Sequence, residues 1–272
     1  MRQGKNLVMR IGLLICLAVL LITCRAVPFT GRKQLALVKE SSVLSLSLQE
    51  YQAFMSTAKI SSDTKNKALV EKVGKRLSQA VSTYYRANGM SKELANFSWE
   101  FNLVSNNVAN AFCMPGGKIV VYSGILPYTK DESGLAVVLG HEIAHALAKH
   151  AAERMSQQIP VFIGALGLDI GLALANKPAE TRQLAQNVFG LGATTGVILP
   201  FSRKHELEAD RIGLIIMAMA GYNPNLAPGF WQRMAAGKNS APPEILSTHP
   251  SDERRISQIK KYLPEALKYY KK

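Results

Sequence analysis

A chain of 272 residues with 47% apolar and 19% charged side chains is long enough for one large or two small domains, and too apolar to be intrinsically disordered. Its formal net charge of +14 is spread along the chain apart from Lys260, Lys261, Lys268, Lys271 and Lys272. No basic and aromatic nucleic-acid module accompanies that charge, so nucleic acid is excluded as a partner and an anionic lipid or lipopolysaccharide surface is its simplest use.

Arg2, Lys5 and Arg10 precede or edge an apolar run from Ile11 to Ile22, the layout of a secretory signal peptide over residues 1–23. As a helix that run is roughly 18 Å long, short of the ~30 Å of a hydrocarbon core, which argues against a permanent span. Leu21, Ile22, Thr23 and Cys24 look like the lipobox of a bacterial lipoprotein, which makes Cys24 an acylated membrane anchor. Thr23 stands where Gly, Ala or Ser is usual, and ordinary signal-peptidase cleavage is the alternative. Arg25 replaces the aspartate that marks inner-membrane retention, which favours the outer membrane on the periplasmic side of a bacterial envelope. If Cys24 is acylated, Cys113 has no intrachain partner once the leader is gone, and it reads as a small buried hydrophobe.

Residues 24–272 are expected to form a single domain. Gln49 to Met55 suits a short helix, and Asp63 to Tyr85 a longer one, with Leu69, Val73, Leu77, Ala80, Val81 and Tyr84 at helical spacing. Phe97, Trp99, Phe101 and Leu103 alternate with Ser98, Glu100 and Asn102 as in a half-buried strand. Strands at Ala111–Met114 and Lys118–Tyr122 flank a hairpin turn of Pro115, Gly116 and Gly117. An amphipathic helix is expected from Glu132 to about Met155. Ile159–Ala175 is apolar and glycine-spotted and suits a buried helix, a membrane-dipping segment or a mobile lid, and Asp169 within it favours the protein interior over a membrane span. A further apolar segment runs to Leu199, and helices follow at Phe201–Ala220, Pro224–Ala236 and Ser251–Tyr270. The fold class is α+β, mostly α, with a small sheet edge beside the Glu132 helix.

His141 and His145, four apart on that helix, project from one face and can reach one metal ion, with Glu142 beside it. A zinc ion held by three protein ligands keeps a position for water and lowers its pKa toward about 7, and a neighbouring carboxylate can take the proton as a peptide carbonyl is attacked. A histidine six residues after His145 would mark the metzincin pattern, but Ala151 stands there, and Ala148 replaces the expected glycine. The remaining common solution is a distant glutamate, and Glu206 and Asp210 share a helix face while Glu208 points roughly 200° away from Glu206. Glu206 is thus the expected third ligand of one zinc per chain, Glu142 the general base, and Asp210 the acceptor for a ligand histidine's outer nitrogen. His150 is expected to be structural or at the surface, and His205 to point about 100° from Glu206. His249, in a loop before a helix, can approach the metal or a substrate oxyanion.

The segments HEIAH at 141–145, ELEAD at 206–210, NAFCMPGGKIVVYSGIL at 110–126, THP at 248–250 and VPFTGRKQLALV at 27–38 resemble the zinc metallopeptidase family that includes HtpX, BepA, the mitochondrial OMA-type proteases and the CAAX prenyl protease. The resemblance implies a zincin-like domain in which Asn110, Ala111 and Phe112 lie along the substrate edge. It also implies that His249 gates the fourth metal position and that Arg255 lies near the active site. The chain stops soon after THP and shows no further obvious spans, so it is expected to be the compact lipoprotein branch, without a tetratricopeptide docking module. The function implied is an endopeptidase acting on misfolded or stalled envelope proteins, in quality control. The alternative is a chaperone-like assembly factor whose zinc site is structural or held shut. Expected partners are unfolded or misassembled proteins and a membrane surface; oligomeric state is left open.

Overall fold

The computed structural model describes residues 24–236, 245–249 and 253–271, so the expected leader at 1–23 lies outside the described residues. In chain order its principal elements are β1 (Cys24–Ala26), β2 (Lys33–Leu35), α1 (Glu40–Thr57), α2 (Thr64–Ala87), β3 (Glu100–Val104), β4 (Ala111–Met114), β5 (Lys118–Tyr122), α3 (Glu132–Leu147), α4 (His150–Leu174), α5 (Ala179–Ala193), α6 (Leu199–Met219), α7 (Ala227–Ala236) and α8 (Glu253–Ala266). The class is α+β and mostly α, as the sequence implied. Two compact units divide the chain: the segment ending at Glu40 with Ala151–Pro200, and Ser41–His150 with Phe201–Lys272.

The larger unit holds a three-stranded sheet in the order β3-β5-β4, with β3 parallel and β4 antiparallel to β5. Gly116 and Gly117 turn the β4–β5 hairpin at φ 91° and 85°, values that L side chains rarely adopt. Phe97 and Trp99 were expected within β3, but they precede it, stacked at 4.8 Å between ring centroids. A Cβ at Gly117 would come within 2.7 Å of the Trp99 ring, so that ring caps the hairpin instead of extending the strand. Tyr51, Val104 and Val120 form an apolar cluster with Phe54, Phe112 and Tyr122 packed against it. The Tyr51 hydroxyl donates to Glu100 at 2.8 Å, and burial followed by that carboxylate pushes its pKa up to about 12.

α2 starts where Asp63 accepts from the Asn66 amide, and it buries Val70, Val73, Leu77, Val81 and Tyr85. α1 is longer than the expected Gln49–Met55. Its buried row is Val43, Ser47 and Tyr51, and the polar Ser47, which donates to the Pro115 carbonyl, hides the apolar period.

α3 is capped by Asp131, whose side chain accepts from the Gly134 amide, and it is buried from Gly134 through Leu147. It ends eight residues before the expected Met155. Lys149 adopts φ 54° and a new helix begins at His150. An unbroken helix would carry His150 about 140° round from His145, and the left-handed residue re-aims it. α3 and α6 cross with backbone almost touching backbone: a Cβ on Gly140 would lie 3.0 Å from the Gly213 carbonyl oxygen, and one on Gly213 would lie 2.9 Å from the His141 nitrogen. α6 begins two residues before the expected Phe201, because a π-helical turn at Thr194–Ile198 carries the helix on from α5 without a break. Residues 251 and 252, where the last helix was expected to start, lie outside the described residues.

The smaller unit joins the β1–β2 ribbon to the α4–α5 hairpin. Arg32 donates to both oxygens of the buried Glu153 at 2.8 and 2.6 Å, and the Leu37 and Val38 amides donate to Ser156 Oγ. Between α4 and α5, Arg182 forks onto Asp169, and the Gln186 side chain donates to the Ala165 carbonyl. The expectation that Ile159–Ala175 is interior is corrected: Phe162 is 69% and Leu174 80% exposed, with Ile159, Ile163, Leu166 and Ile170 also in solvent. These positions recur at helical spacing, and Asp169 is neutralised within the hairpin, so its charge did not require the protein interior. By length and composition, α4 and the run Ala179–Met219 are each long and apolar enough to cross a membrane.

The glycine crossing gives a direct test. Alanine in a helix interior is intrinsically better than glycine by about 1 kcal/mol, whereas overpacking against backbone costs about 1–3 kcal/mol. Gly213→Ala is therefore expected to lower stability in urea unfolding of the full chain, and a stabilised variant would contradict the close approach.

Candidate metal centre

At the α3–α6 crossing one ligand atom from each of His141, His145, Glu206 and His249 lies within 4.8 Å of the others. His141 Nε2 stands 3.1 Å from His145 Nε2, 3.1 Å from His249 Nδ1 and 3.3 Å from Glu206 Oε2. His145 Nε2 is 3.4 Å from Glu206 Oε1, and His249 Nδ1 is 2.9 Å from Glu206 Oε2.

The outer nitrogens decide which way the ring lone pairs point. Asp210 Oδ1 lies 3.0 Å from His141 Nδ1, and an ionised carboxylate only accepts, so Nδ1 carries a proton and Nε2 is the nitrogen turned inward to bind a metal once its own proton leaves. Asp210 is itself held by Arg255, which donates from Nε and Nη2 at 2.7 and 2.8 Å while its guanidinium lies 3.7 Å over the Trp231 ring centre. Arg255 also donates to the His249 carbonyl at 3.0 Å, tying the loop to α8. The structure thus places Arg255 behind His141, on Asp210, rather than at an open face.

Glu142 Oε1 is buried without a hydrogen-bond partner and stands 3.5 Å from His249 Nε2. A bare buried carboxylate oxygen beside converging imidazole and carboxylate donors suits a cation, and two imidazoles with a carboxylate suit zinc.

Electrostatics support the same reading. Burial opposes charge on Glu206, but bonds to His141 and His249 hold it far below the usual carboxylate range. Asp210 is lowered likewise, with burial outweighed by the charge and bonds of Arg255 and then His141. Burial works to lower His141, yet Asp210 and Glu206 raise it to about 9, while burial and then the His141 charge push His145 well below its ordinary value. Asp210 and Glu206 thus favour the charged form of His141, whose inward proton a bound metal would displace.

Two residues beyond the expected set belong to the centre. His150, expected to be structural or at the surface, is fully buried with Nδ1 2.9 Å from His145 Nδ1. Its Nε2 lies 3.0 Å from Glu208 Oε2, and its ring stacks on His205 at 4.2 Å. His205 contributes no ligand atom to the group. Of the two expectations for His150, structural or at the surface, the first holds, and the break at Lys149 turns it toward His145.

β4 is an edge of the sheet among the described residues. The Tyr122 amide donates to the Asn110 carbonyl and the Gly117 amide to the Met114 carbonyl, so by antiparallel alternation Ala111 and Cys113 turn their backbone groups outward. The Phe112 side chain packs against Phe54 and Tyr122, and Asn110 Oδ1 accepts from the Ala111 amide. Burial and then Glu142 push the Cys113 thiol well up, in keeping with an inert thiol.

The sequence profile described as peptidase family M48 matches residues 71–263. Mitochondrial metalloendopeptidase OMA1 of Schizosaccharomyces pombe is 39% identical over 196 residues, covering 70% of this chain and 53% of that protein. The human mitochondrial metalloendopeptidase OMA1 is 32% identical over 248 residues, 89% of this chain and 46% of that protein. The β-barrel assembly-enhancing protease of Escherichia coli K12 is 36% identical over 168 residues, 60% of this chain and 34% of that protein. The chain thus spans about half or less of the length of these relatives.

With His141 holding its proton up to about 9, metal binding below that pH releases one proton, and affinity falls as pH falls. Apparent zinc affinity, measured by chelator competition, is expected to be about tenfold tighter at pH 8 than at pH 7. A pH-independent affinity would contradict a protonated His141.

Proposed function

The chain belongs to peptidase family M48, and we propose that it is a zinc-dependent endopeptidase of a bacterial envelope that cleaves misfolded or stalled proteins. The observation that carries this reading is Glu142, a buried carboxylate with a bare oxygen beside the converged donors of His141, His145 and Glu206. A structural metal site has no use for such a base. Those three residues would hold the zinc, which when bound supplies Lewis acidity and activates water. Glu142 takes a proton during attack on the peptide carbonyl and returns it to the leaving amine. Asp210, fixed by Arg255, keeps the His141 lone pair aimed inward. An extended peptide would pair with β4 at Cys113, with Asn110, whose side chain holds the Ala111 amide, and Phe112 shaping the edge from within.

His249 acts as a gate. Its nitrogen sits among the ligand atoms at 2.9 Å from Glu206, filling the space a substrate carbonyl needs. The same position favours a second reading, a chaperone-like assembly factor with a closed centre. Localisation to the outer membrane, with Cys24 acylated, rests on the leader layout and on the exposure of Cys24. The exposed apolar stripe of α4 and the basic net charge support apposition to an anionic membrane surface.

Digestion of casein by residues 25–272 tests the assignment. Wild type is expected to cut, Glu142→Gln to retain zinc while losing about 10²–10⁴-fold in rate, and His249→Ala to cut faster than wild type. Cutting by Glu142→Gln at the wild-type rate would overturn the base assignment. Zinc binding with no cutting by any variant would favour the chaperone-like reading.

A further inference from the structure

We propose that His150 and Glu208 form a buried relay that fixes the tautomer and orientation of His145, a positioning pair parallel to the Asp210 and Arg255 arrangement behind His141. The inference rests on His145 being a zinc ligand through Nε2. That role requires the proton on Nδ1 and an acceptor for it, and the group facing it at 2.9 Å is not a carboxylate or a carbonyl but His150 Nδ1.

A neutral imidazole has one donor nitrogen and one acceptor, so His150 Nδ1 can accept only if its proton sits on Nε2. Glu208 enforces that choice. Its Oε2 lies 3.0 Å from His150 Nε2, and a carboxylate accepts there. The direction of all three groups follows: His150 Nε2–H donates to Glu208, His145 Nδ1–H donates to His150 Nδ1, and the His145 Nε2 lone pair faces Glu206 and His141. His150, Glu208 and His145 are all buried, and His205 stacks flat on His150, so the rings have little freedom to leave this arrangement.

The local fold explains how the relay is built. The left-handed Lys149 breaks the helix and lets His150 face back toward His145. Glu208 comes from the helix that also supplies Glu206 and Asp210, so one helix carries a ligand and the anchor behind each ligand histidine. Glu208 points away from Glu206 by the helical period, and its partner is the ring of His150 at the start of α4.

The test uses the full chain. In nitrogen-15 histidine spectra of the zinc-loaded protein, His150 is expected as the Nε2–H tautomer and His145 as the Nδ1–H tautomer. In chelator competition, His150→Phe, which preserves the stack on His205, is expected to bind zinc about 10–100-fold more weakly. Glu208→Gln, nearly isosteric, is expected to weaken binding less but measurably and to shift the visible spectrum of the cobalt-substituted protein. If His150→Phe does not fold, Glu208→Gln and the tautomer assignment carry the test alone. A His150 protonated on Nδ1, or folded variants binding zinc within about twofold of wild type, would overturn the relay; failure of wild type to bind zinc at all would instead sink the proposed function.

Discussion

The whole centre depends on how closely two helices approach at Gly140 and Gly213. A Cβ at either position would meet backbone at 3.0 Å or less, so the α3 and α6 axes come nearer than ordinary side chains permit. His141 follows Gly140 directly, and Glu206 and Asp210 precede Gly213 by seven and three residues on one helical face. Short side chains therefore meet across the interface without flexible reach. A wider crossing would leave Glu206 unable to approach two imidazoles at once.

Bringing charged groups together in a buried place has a cost of several kcal/mol per ion, offset only where every partner is satisfied. The larger unit meets that requirement behind the ligands. Asp210 takes two guanidinium bonds and one imidazole contact, Arg255 lies on the face of Trp231, and Glu208 faces His150. Toward the front the reverse holds, with Glu142 Oε1 bare and imidazole nitrogens facing one another at 3.1 Å. Saturated contacts on one side and unsatisfied donors on the other are what a centre needs to be rigid and still able to bind.

Much of this was legible in the residues, because periodicity reports directly on which side chains share a helix face. The i, i+4 spacing of His141 with His145 and of Glu206 with Asp210 placed four groups correctly relative to their own helices, and the Pro-Gly-Gly hairpin beside them was equally plain. What periodicity could not convey was anything set by backbone conformation or by a polar residue in a buried row. Lys149 carries no glycine or proline signal for its left-handed φ, so the helix break and the turning of His150 were invisible. Ser47 disguised the inner face of α1, and Asp169 suggested an interior helix because its partner Arg182 lies on the next one.

The most direct measurement is X-ray absorption at the zinc edge on the purified full chain. The account predicts one zinc per chain with nitrogen and oxygen neighbours at about 2.0–2.1 Å, an outer-shell pattern from at least two imidazoles, and loss of the metal in Glu206→Ala. A sulfur neighbour at about 2.3 Å, which would bring Cys113 into the first coordination sphere, or a wild-type protein that takes up no zinc, would contradict it.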